Sequence, residues 1–153
     1  MTKILFICLG NICRSPMAEF VMKDLVEKAG LADEFQIDSA ATCRDEIGNP
    51  VYPPARRKLA EHGISCEGHA ARQLTAQDYE EYDLLIGMEG ANLKNMQRIC
   101  GGDPAGKMHR LLDYTARPGD VVDPWYTGDF STTWRDVAEG CRGLLKAITS
   151  QAM

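Results

Sequence analysis

The chain has 153 residues, of which 44% are hydrophobic and 25% charged, and its net charge is −5. This length and composition predict one domain over residues 1–153, with no membrane-spanning run and no export signal, so we expect a cytoplasmic protein without a membrane partner. The excess of acidic residues excludes nucleic acid as a partner, because binding to its backbone depends on clustered lysine and arginine.

Strand and helix patterns alternate along the chain. The predicted elements are a strand over 3–8, a helix over 17–30, a strand over 34–39, a helix over 53–59 ended by Gly63, a short helix capped by Thr75 and Asp78, a strand over 83–88, a helix over 92–99, a strand over 107–112 and a helix over 131–148. Residues 115–130 show little periodicity and predict a long loop able to fold over a site. The alternation is typical of a parallel sheet with helices on both faces, where ligands bind at the carboxyl ends of the strands.

Residues 8–15, with the sequence Cys-Leu-Gly-Asn-Ile-Cys-Arg-Ser, connect the first predicted strand to the first predicted helix. Inward backbone N–H groups and the positive end of a helix hold a phosphate dianion at such a turn. Gly10 and Asn11 are the residues most easily placed at positive φ, and Ser15 with Pro16 predicts the helix N-cap and first turn. The segment therefore predicts a phosphate-binding loop after the first strand.

The same loop contains a candidate nucleophile and a candidate phosphate clamp. Amide dipoles and a helix N-terminus favour the thiolate of Cys8. The planar guanidinium of Arg14 matches two phosphate oxygens and the trigonal phosphoryl group of a transition state. Ser15 either donates a hydrogen bond to the sulfur or acts as the N-cap alone. The alternative interpretation makes Cys8 the buried end of a core strand and Arg14 a solvated residue.

Residues 8–15, together with Asp123-Pro124-Trp125-Tyr126, resemble the low-molecular-weight protein tyrosine phosphatase family. The resemblance covers nearly the whole chain. It implies a single phosphatase domain with a flavodoxin-like α/β fold, a three-layer sandwich around a central four-stranded parallel sheet. It also implies hydrolysis of phosphotyrosine in proteins through a phosphocysteine, with tyrosine-phosphorylated proteins as partners and inorganic phosphate as product. We expect the enzyme to be a monomer.

Asp123 is the candidate general acid and base. It stands in an irregular segment, and the resemblance implies that it protonates the leaving oxygen and later accepts a proton from water. Alternatively, Asp123 only starts a turn before Pro124. Trp125 and Tyr126 are expected to line a slot for a phenyl ring. The other predicted substrate-binding positions are Leu9, Gly10, Asn11, Ile12 and Cys13.

Three positions bear on substrate preference within the resemblance. Trp125 stands where family members usually have tyrosine. Arg44-Asp45-Glu46 occupies a place where many relatives have an aromatic side chain that forms the opposite wall of the slot. Protein-arginine phosphatases of similar build tend to place threonine where Ile12 stands, so the apolar side chain favours phosphotyrosine.

Further residues match supporting positions of the family. Asn11, Ser39 and His69 match a hydrogen-bond network that braces the loop, although an ordinary loop position is an equal alternative for His69. Cys13, five residues after Cys8, is expected to trap an oxidised nucleophile in a reversible disulfide, as in relatives, or else to be a small core residue.

Metal and disulfide chemistry have little support in the composition. Three scattered histidines, without a carboxylate cluster at ligand spacing, predict no metal and no cofactor. The six cysteines include no Cys-x-x-Cys pair and are expected to be reduced thiols. The one basic run, Arg56-Arg57-Lys58, predicts a solvated helix face.

Two other functions are compatible with the loop. A sister family with the same loop reduces arsenate and relays the oxidation through further cysteines near the middle of the chain. This chain has none between Cys66 and Cys100. A non-catalytic module that binds phosphopeptides would not need Cys8 or Asp123.

Overall fold

The structure is a computed structural model that describes residues 1–151. Its strands are β1 (Thr2–Cys8), β2 (Phe35–Ala41), β3 (Leu84–Gly87) and β4 (Met108–Arg110). Its α-helices are α1 (Arg14–Lys28), α2 (Pro53–Glu61), α3 (Ala76–Glu81), α4 (Gly90–Cys100), α5 (Pro124–Thr127) and α6 (Phe130–Gln151). Short 3-10 helices cover Ala32–Glu34 and Leu111–Tyr114.

The strands form one sheet in the order β2-β1-β3-β4, and every neighbouring pair is parallel. The predicted four-stranded parallel sheet is confirmed. From β1 the chain continues to β2 on one side of β1, and it then crosses to β3 on the other side. This reversal places a crevice at the carboxyl end of β1, which is the usual ligand site of such sheets.

The residues of β1 explain why helices cover both faces. Ile4 and Phe6 pack in one apolar cluster with residues of α1 and α6. Leu5 and Ile7 point the opposite way and pack with residues of α3 and α4. The result is the expected three-layer sandwich. No helix within residues 1–151 combines the length and the apolar character needed to cross a bilayer.

The turn after β1 differs from the prediction in two details. Helix α1 begins at Arg14 with Cys13 as its N-cap, so the prediction of Ser15 as N-cap is wrong. The backbone N–H of Met17 already bonds to the Cys13 carbonyl, which draws Ser15 into the first turn. Asn11 adopts a φ of 60°, but Gly10 does not have positive φ. Gly10 instead allows a close approach, because an added Cβ would lie 3.3 Å from Cγ of Glu46.

The predicted long loop over 115–130 contains a helix, so that prediction is wrong in part. Asp123 caps α5, and its Oδ1 accepts a hydrogen bond from the backbone N–H of Trp125 at 3.0 Å. Pro124 supplies the fixed φ of the first helical position, and Gly128 ends the helix with a φ of 73°. Four residues are too few to show a helical period in the sequence.

Candidate active site

Cys8 ends β1 with its sulfur beneath the turn that follows. The backbone N–H groups of Asn11 and Ser15 donate to Sγ of Cys8 at 3.3 and 3.4 Å. The Ser15 hydroxyl lies 3.0 Å from the same sulfur. Donors converging on one sulfur stabilise a negative charge there, as does the N-terminus of α1.

The hydrogen-bond pattern orients the Ser15 hydroxyl toward the sulfur. Nδ2 of Asn11 donates to Oγ of Ser15 at 2.8 Å. Oδ1 of Asn11 accepts from the backbone N–H of Arg72 at 3.2 Å, and this donor determines which end of the amide faces Ser15. Because the Ser15 oxygen already accepts a bond from Asn11, its own proton is free to point at Cys8.

A second set of contacts braces the loop from behind. The Nε2 atom of His69 lies 2.8 Å from the carbonyl oxygen of Asn11. Glu19 links Ser39 to His69. Its Oε1 accepts a hydrogen bond from Ser39 at 2.5 Å and lies 4.0 Å from Nδ1 of His69. The structure thus brings Asn11, Ser39 and His69 together.

Arg14 is the largest fully buried side chain, with 1% of its surface exposed, which contradicts the alternative of a solvated residue. Its Nη1 donates to the carbonyl oxygen of Val121 at 2.9 Å. Its Nη2 lies 3.3 Å from Glu89 and 3.4 Å from Asp123. Burial alone lowers the pKa of Arg14, but the negative charges of Cys8, Asp123 and Glu89 outweigh it and raise the pKa. Within residues 1–151, Nε has no hydrogen-bond partner, so it is available to a ligand.

These groups meet in a pocket of about 260 Å³ at the carboxyl end of β1, called here the active-site pocket. Its floor and first wall come from Cys8, Leu9, Gly10, Ile12, Cys13 and Arg14. Asp123, Trp125 and Tyr126 form the facing wall. Asn11 is fully buried and does not line the pocket. All the other predicted substrate-binding positions line it.

The aromatic wall is open to solvent. Trp125 is 53% exposed and rests on Tyr52, with ring centroids 4.8 Å apart, and Tyr126 is 78% exposed. Cys43, Asp45 and Glu46 also line the pocket. The lining therefore combines exposed aromatic side chains with the carboxylates of Asp45, Glu46 and Asp123.

A family model described as "Low molecular weight phosphotyrosine protein phosphatase" matches residues 3–153. The chain belongs to this family. Members are protein-tyrosine phosphatases, and this chain is an enzyme of that kind.

Several known phosphatases are similar along nearly their whole length. The low molecular weight protein-tyrosine-phosphatase YfkJ of Bacillus subtilis is 39% identical over 153 residues, covering 99% of this chain and 98% of its own. The crystal structure of YfkJ superimposes with a TM-score of 0.97 and covers 100% of this chain and 98% of that one. The low molecular weight phosphotyrosine protein phosphatase of Homo sapiens is 35% identical over 148 residues, covering 94% of this chain and 93% of its own.

The surroundings of Cys13 disfavour the ionised form of its thiol. Burial, together with the nearby negative charges of Cys8 and Asp123, raises the pKa of the Cys13 thiol to about 12. This thiol of the phosphatase is therefore protonated at neutral pH. It lies in the pocket wall and also packs against Ile12 and Ala71, so both predicted roles remain open to it.

Three residues of the phosphatase site escaped sequence analysis. Glu19 follows Ser15 by four residues on α1, and this spacing on one helix face was the available indication. Glu89 follows β3 at the edge of the sheet where β1 also ends, so the topology pointed to it. Val121 acts through its backbone carbonyl, which leaves no trace in the residue type. Within residues 1–151, no three metal-ligating side chains form a cluster.

Proposed function

We propose that this phosphatase hydrolyses phosphotyrosine in proteins through a phosphocysteine at Cys8, with Arg14 as phosphate clamp and Asp123 as general acid and base. The observation that carries the proposal is the arrangement around one sulfur. Two backbone N–H groups and the Ser15 hydroxyl approach Sγ of Cys8 within 3.4 Å. Nη2 of Arg14, a side chain that lines the same pocket, lies 3.4 Å from Oδ2 of Asp123.

In the first step, the Cys8 thiolate attacks phosphorus. The S–P bond forms while the bond from phosphorus to the tyrosine oxygen breaks, and Asp123 gives its proton to that departing oxygen. The loop N–H groups and Arg14 hold the three remaining oxygens. Because Val121 and Glu89 anchor one end of the guanidinium, the free Nε is held toward the ligand instead of rotating.

In the second step, water attacks the phosphocysteine. Asp123 accepts a proton from the water, the S–P bond breaks, and Cys8 leaves as a thiolate with inorganic phosphate as the product. The hydroxyl of Ser15, oriented by Asn11, donates to the departing sulfur and makes it a better leaving group. The carboxylate of Asp123 thus acts as the acid in the first step and as the base in the second.

The shape of the pocket supports an aryl ester as substrate. Trp125 and Tyr126 offer ring faces to a phenyl group, and Ile12 adds an apolar surface at the loop. We propose that residues 1–153 act as one domain and as a monomer, because the loop after β1 and the segment before α6 complete a single pocket. A nucleophilic thiol must stay reduced, so we place the enzyme in the cytoplasm.

The nucleophile is tested by turnover of para-nitrophenyl phosphate and a phosphotyrosyl peptide in the presence of EDTA. Cys8→Ser is expected to abolish both reactions, and Cys100→Ser, a thiol outside the pocket, to retain them. Mass spectrometry of rapidly quenched wild type should show a phosphate adduct on Cys8. Activity that survives Cys8→Ser, or that disappears with EDTA, contradicts the mechanism.

The general acid is tested by comparing two leaving groups. Asp123→Asn is expected to lower the rate for phosphotyrosine by about 10²- to 10⁴-fold. The loss for para-nitrophenyl phosphate should be smaller, because its phenol is more acidic and needs less help from a proton. Asp24→Asn, at a partly exposed ion pair with Lys28 on α1, is the control. Equal losses for both esters would assign Asp123 a purely structural role.

The two other functions predict different results in the same assays. A binding module would retain phosphopeptide without turning it over. An arsenate reductase would consume thioredoxin-derived electrons and would need further cysteines to relay the oxidation. Cys66 and Cys100 do not line the active-site pocket, which disfavours this function.

A further inference from the structure

A second cavity of about 450 Å³ lies beside the active-site pocket. The two cavities share Ile12 and Glu46, so a single layer of side chains separates them. We call this cavity the side pocket and define it by Ile12, Glu46, Asn49, Tyr52, Arg56 and Arg57. Nothing in the mechanism above uses it.

Two arginines of the side pocket have no partner among residues 1–151. Of the ten arginines in the chain, only Arg56, Arg57 and Arg142 have neither an ion pair nor a side-chain hydrogen bond within residues 1–151. Acidic residues outnumber basic ones by 22 to 17, so potential partners are plentiful. Lys58, the last residue of the basic run, is engaged, since its Nζ lies 2.8 Å from Glu61. The predicted solvated face therefore includes two free guanidinium groups next to the catalytic pocket.

The other charges around the side pocket leave these guanidinium groups available. Glu46 lies on the wall shared with the active-site pocket, where its Oε2 accepts a hydrogen bond from Asn49 at 2.5 Å. It makes no ion pair with either arginine. Arg56 and Arg57 lie in the first turns of α2, whose N-terminus adds positive potential. An anion on the arginine side of the cavity is thus favoured by three groups and opposed by one.

We propose that the side pocket binds a carboxylate side chain of the substrate, located a few residues from the phosphotyrosine, so that Arg56 and Arg57 make the enzyme select acidic sequences. The inference rests on the proposed phosphotyrosine hydrolysis and extends it to substrate choice. An extended peptide advances about 3.3 Å per residue, so a neighbouring cavity is within reach of nearby residues. Trp125 of the first pocket contacts Tyr52 of the second, which gives the peptide a continuous aromatic surface to cross. Arginine binds carboxylates with two parallel hydrogen bonds.

The test measures kcat/KM for phosphotyrosyl peptides that carry one glutamate among neutral residues, placed in turn at each position on either side of the phosphotyrosine. Wild type is expected to prefer glutamate at one or two positions on one side by about three- to tenfold, mainly through KM, as two partly exposed ion pairs would produce. The double variant Arg56→Glu/Arg57→Glu should lose or reverse this preference, and Arg56→Ala/Arg57→Ala should lose it. Thermal unfolding verifies that both variants are folded.

Two controls separate this inference from the others. Arg142→Glu changes an equally unpaired arginine on α6 and should leave the peptide preference intact. Turnover of para-nitrophenyl phosphate, which does not reach the side pocket, should be unchanged in every variant, whereas it would be absent in wild type if the proposed function itself were wrong. Equal rates for all peptides overturn the proposal, as does an equal loss of preference in Arg142→Glu.

Discussion

Replacing Asn11 tests how the phosphate loop keeps its shape. Asn11 is fully buried at a φ of 60°, where residues with a Cβ are rarely found. Its side chain donates to Ser15 at 2.8 Å and accepts from the N–H of Arg72 at 3.2 Å. Asn11→Ala and Asn11→Gly remove the same hydrogen bonds, but only alanine must be strained to keep this φ.

The lost hydrogen bond and the backbone strain each change the free energy of unfolding by a typical amount. An unpaired N–H at Arg72 costs about 1–3 kcal/mol in either variant. The left-handed conformation costs alanine roughly 1–2 kcal/mol more. We therefore expect Asn11→Ala to lower the free energy of unfolding by about 2–5 kcal/mol, and Asn11→Gly by about 1 kcal/mol less than that. Loss of the bond that orients Ser15, worth about 1 kcal/mol, should lower kcat by about fivefold in both variants.

Urea unfolding gives the free energies, and para-nitrophenyl phosphate turnover gives kcat. Gln97→Ala, at an exposed position on α4, is the control and should change stability by less than about 0.5 kcal/mol. If the alanine and glycine variants were equally stable, the strain assigned to Asn11 would be refuted. If both turned over substrate like wild type, orientation of Ser15 by Asn11 would have no part in catalysis.

Three further predictions concern pH and packing. Burial and a hydrogen bond to a carboxylate raise the pKa of Tyr82 from 10.0 to about 12. The contribution of Tyr82 to stability is therefore intact below pH 10 and lost toward pH 12. Between about pH 9 and about pH 11, urea unfolding should show a smaller loss of unfolding free energy in Tyr82→Phe than in wild type. Gly143→Ala should lower the free energy of unfolding by about 1–3 kcal/mol, because the new methyl group would overlap the carbonyl oxygen of Tyr114. Alanine normally favours a helix over glycine, so a gain in stability would contradict this packing. Peroxide is expected to oxidise Cys8 to a sulfenic acid, whose sulfur the Cys13 thiolate then attacks as hydroxide leaves, which forms a Cys8–Cys13 disulfide. Because the pKa of Cys13 is raised to about 12, the rate of this second step, measured by mass spectrometry of alkylated protein, should rise about tenfold per pH unit below that value; a pH-independent rate would refute this.

Local patterns predicted much of the fold because they reflect contacts along a single element. The apolar run that became β1 and the capping box of Thr75 and Asp78 both appear where the sequence places them. Errors arose where a few residues decide the conformation, as in α5 and at the N-cap of α1. Helix α5 has only four residues, and the observed N-cap of α1 lies two positions before the predicted one, so neither feature has a periodic pattern that the sequence could reveal.

The sequence by itself determined the alternation of strands and helices, the loop between β1 and α1, and the position of a thiol, a guanidinium and a carboxylate in the chain. These follow from residue type and spacing, which act within a few residues of each other. Only the tertiary structure decided that Glu19 joins Ser39 to His69 and that Glu89 and Val121 hold Arg14. It also decided that two arginines, unpaired within residues 1–151, lie beside the pocket. Such contacts join residues far apart in the chain, and their distances depend on how the helices pack on the sheet.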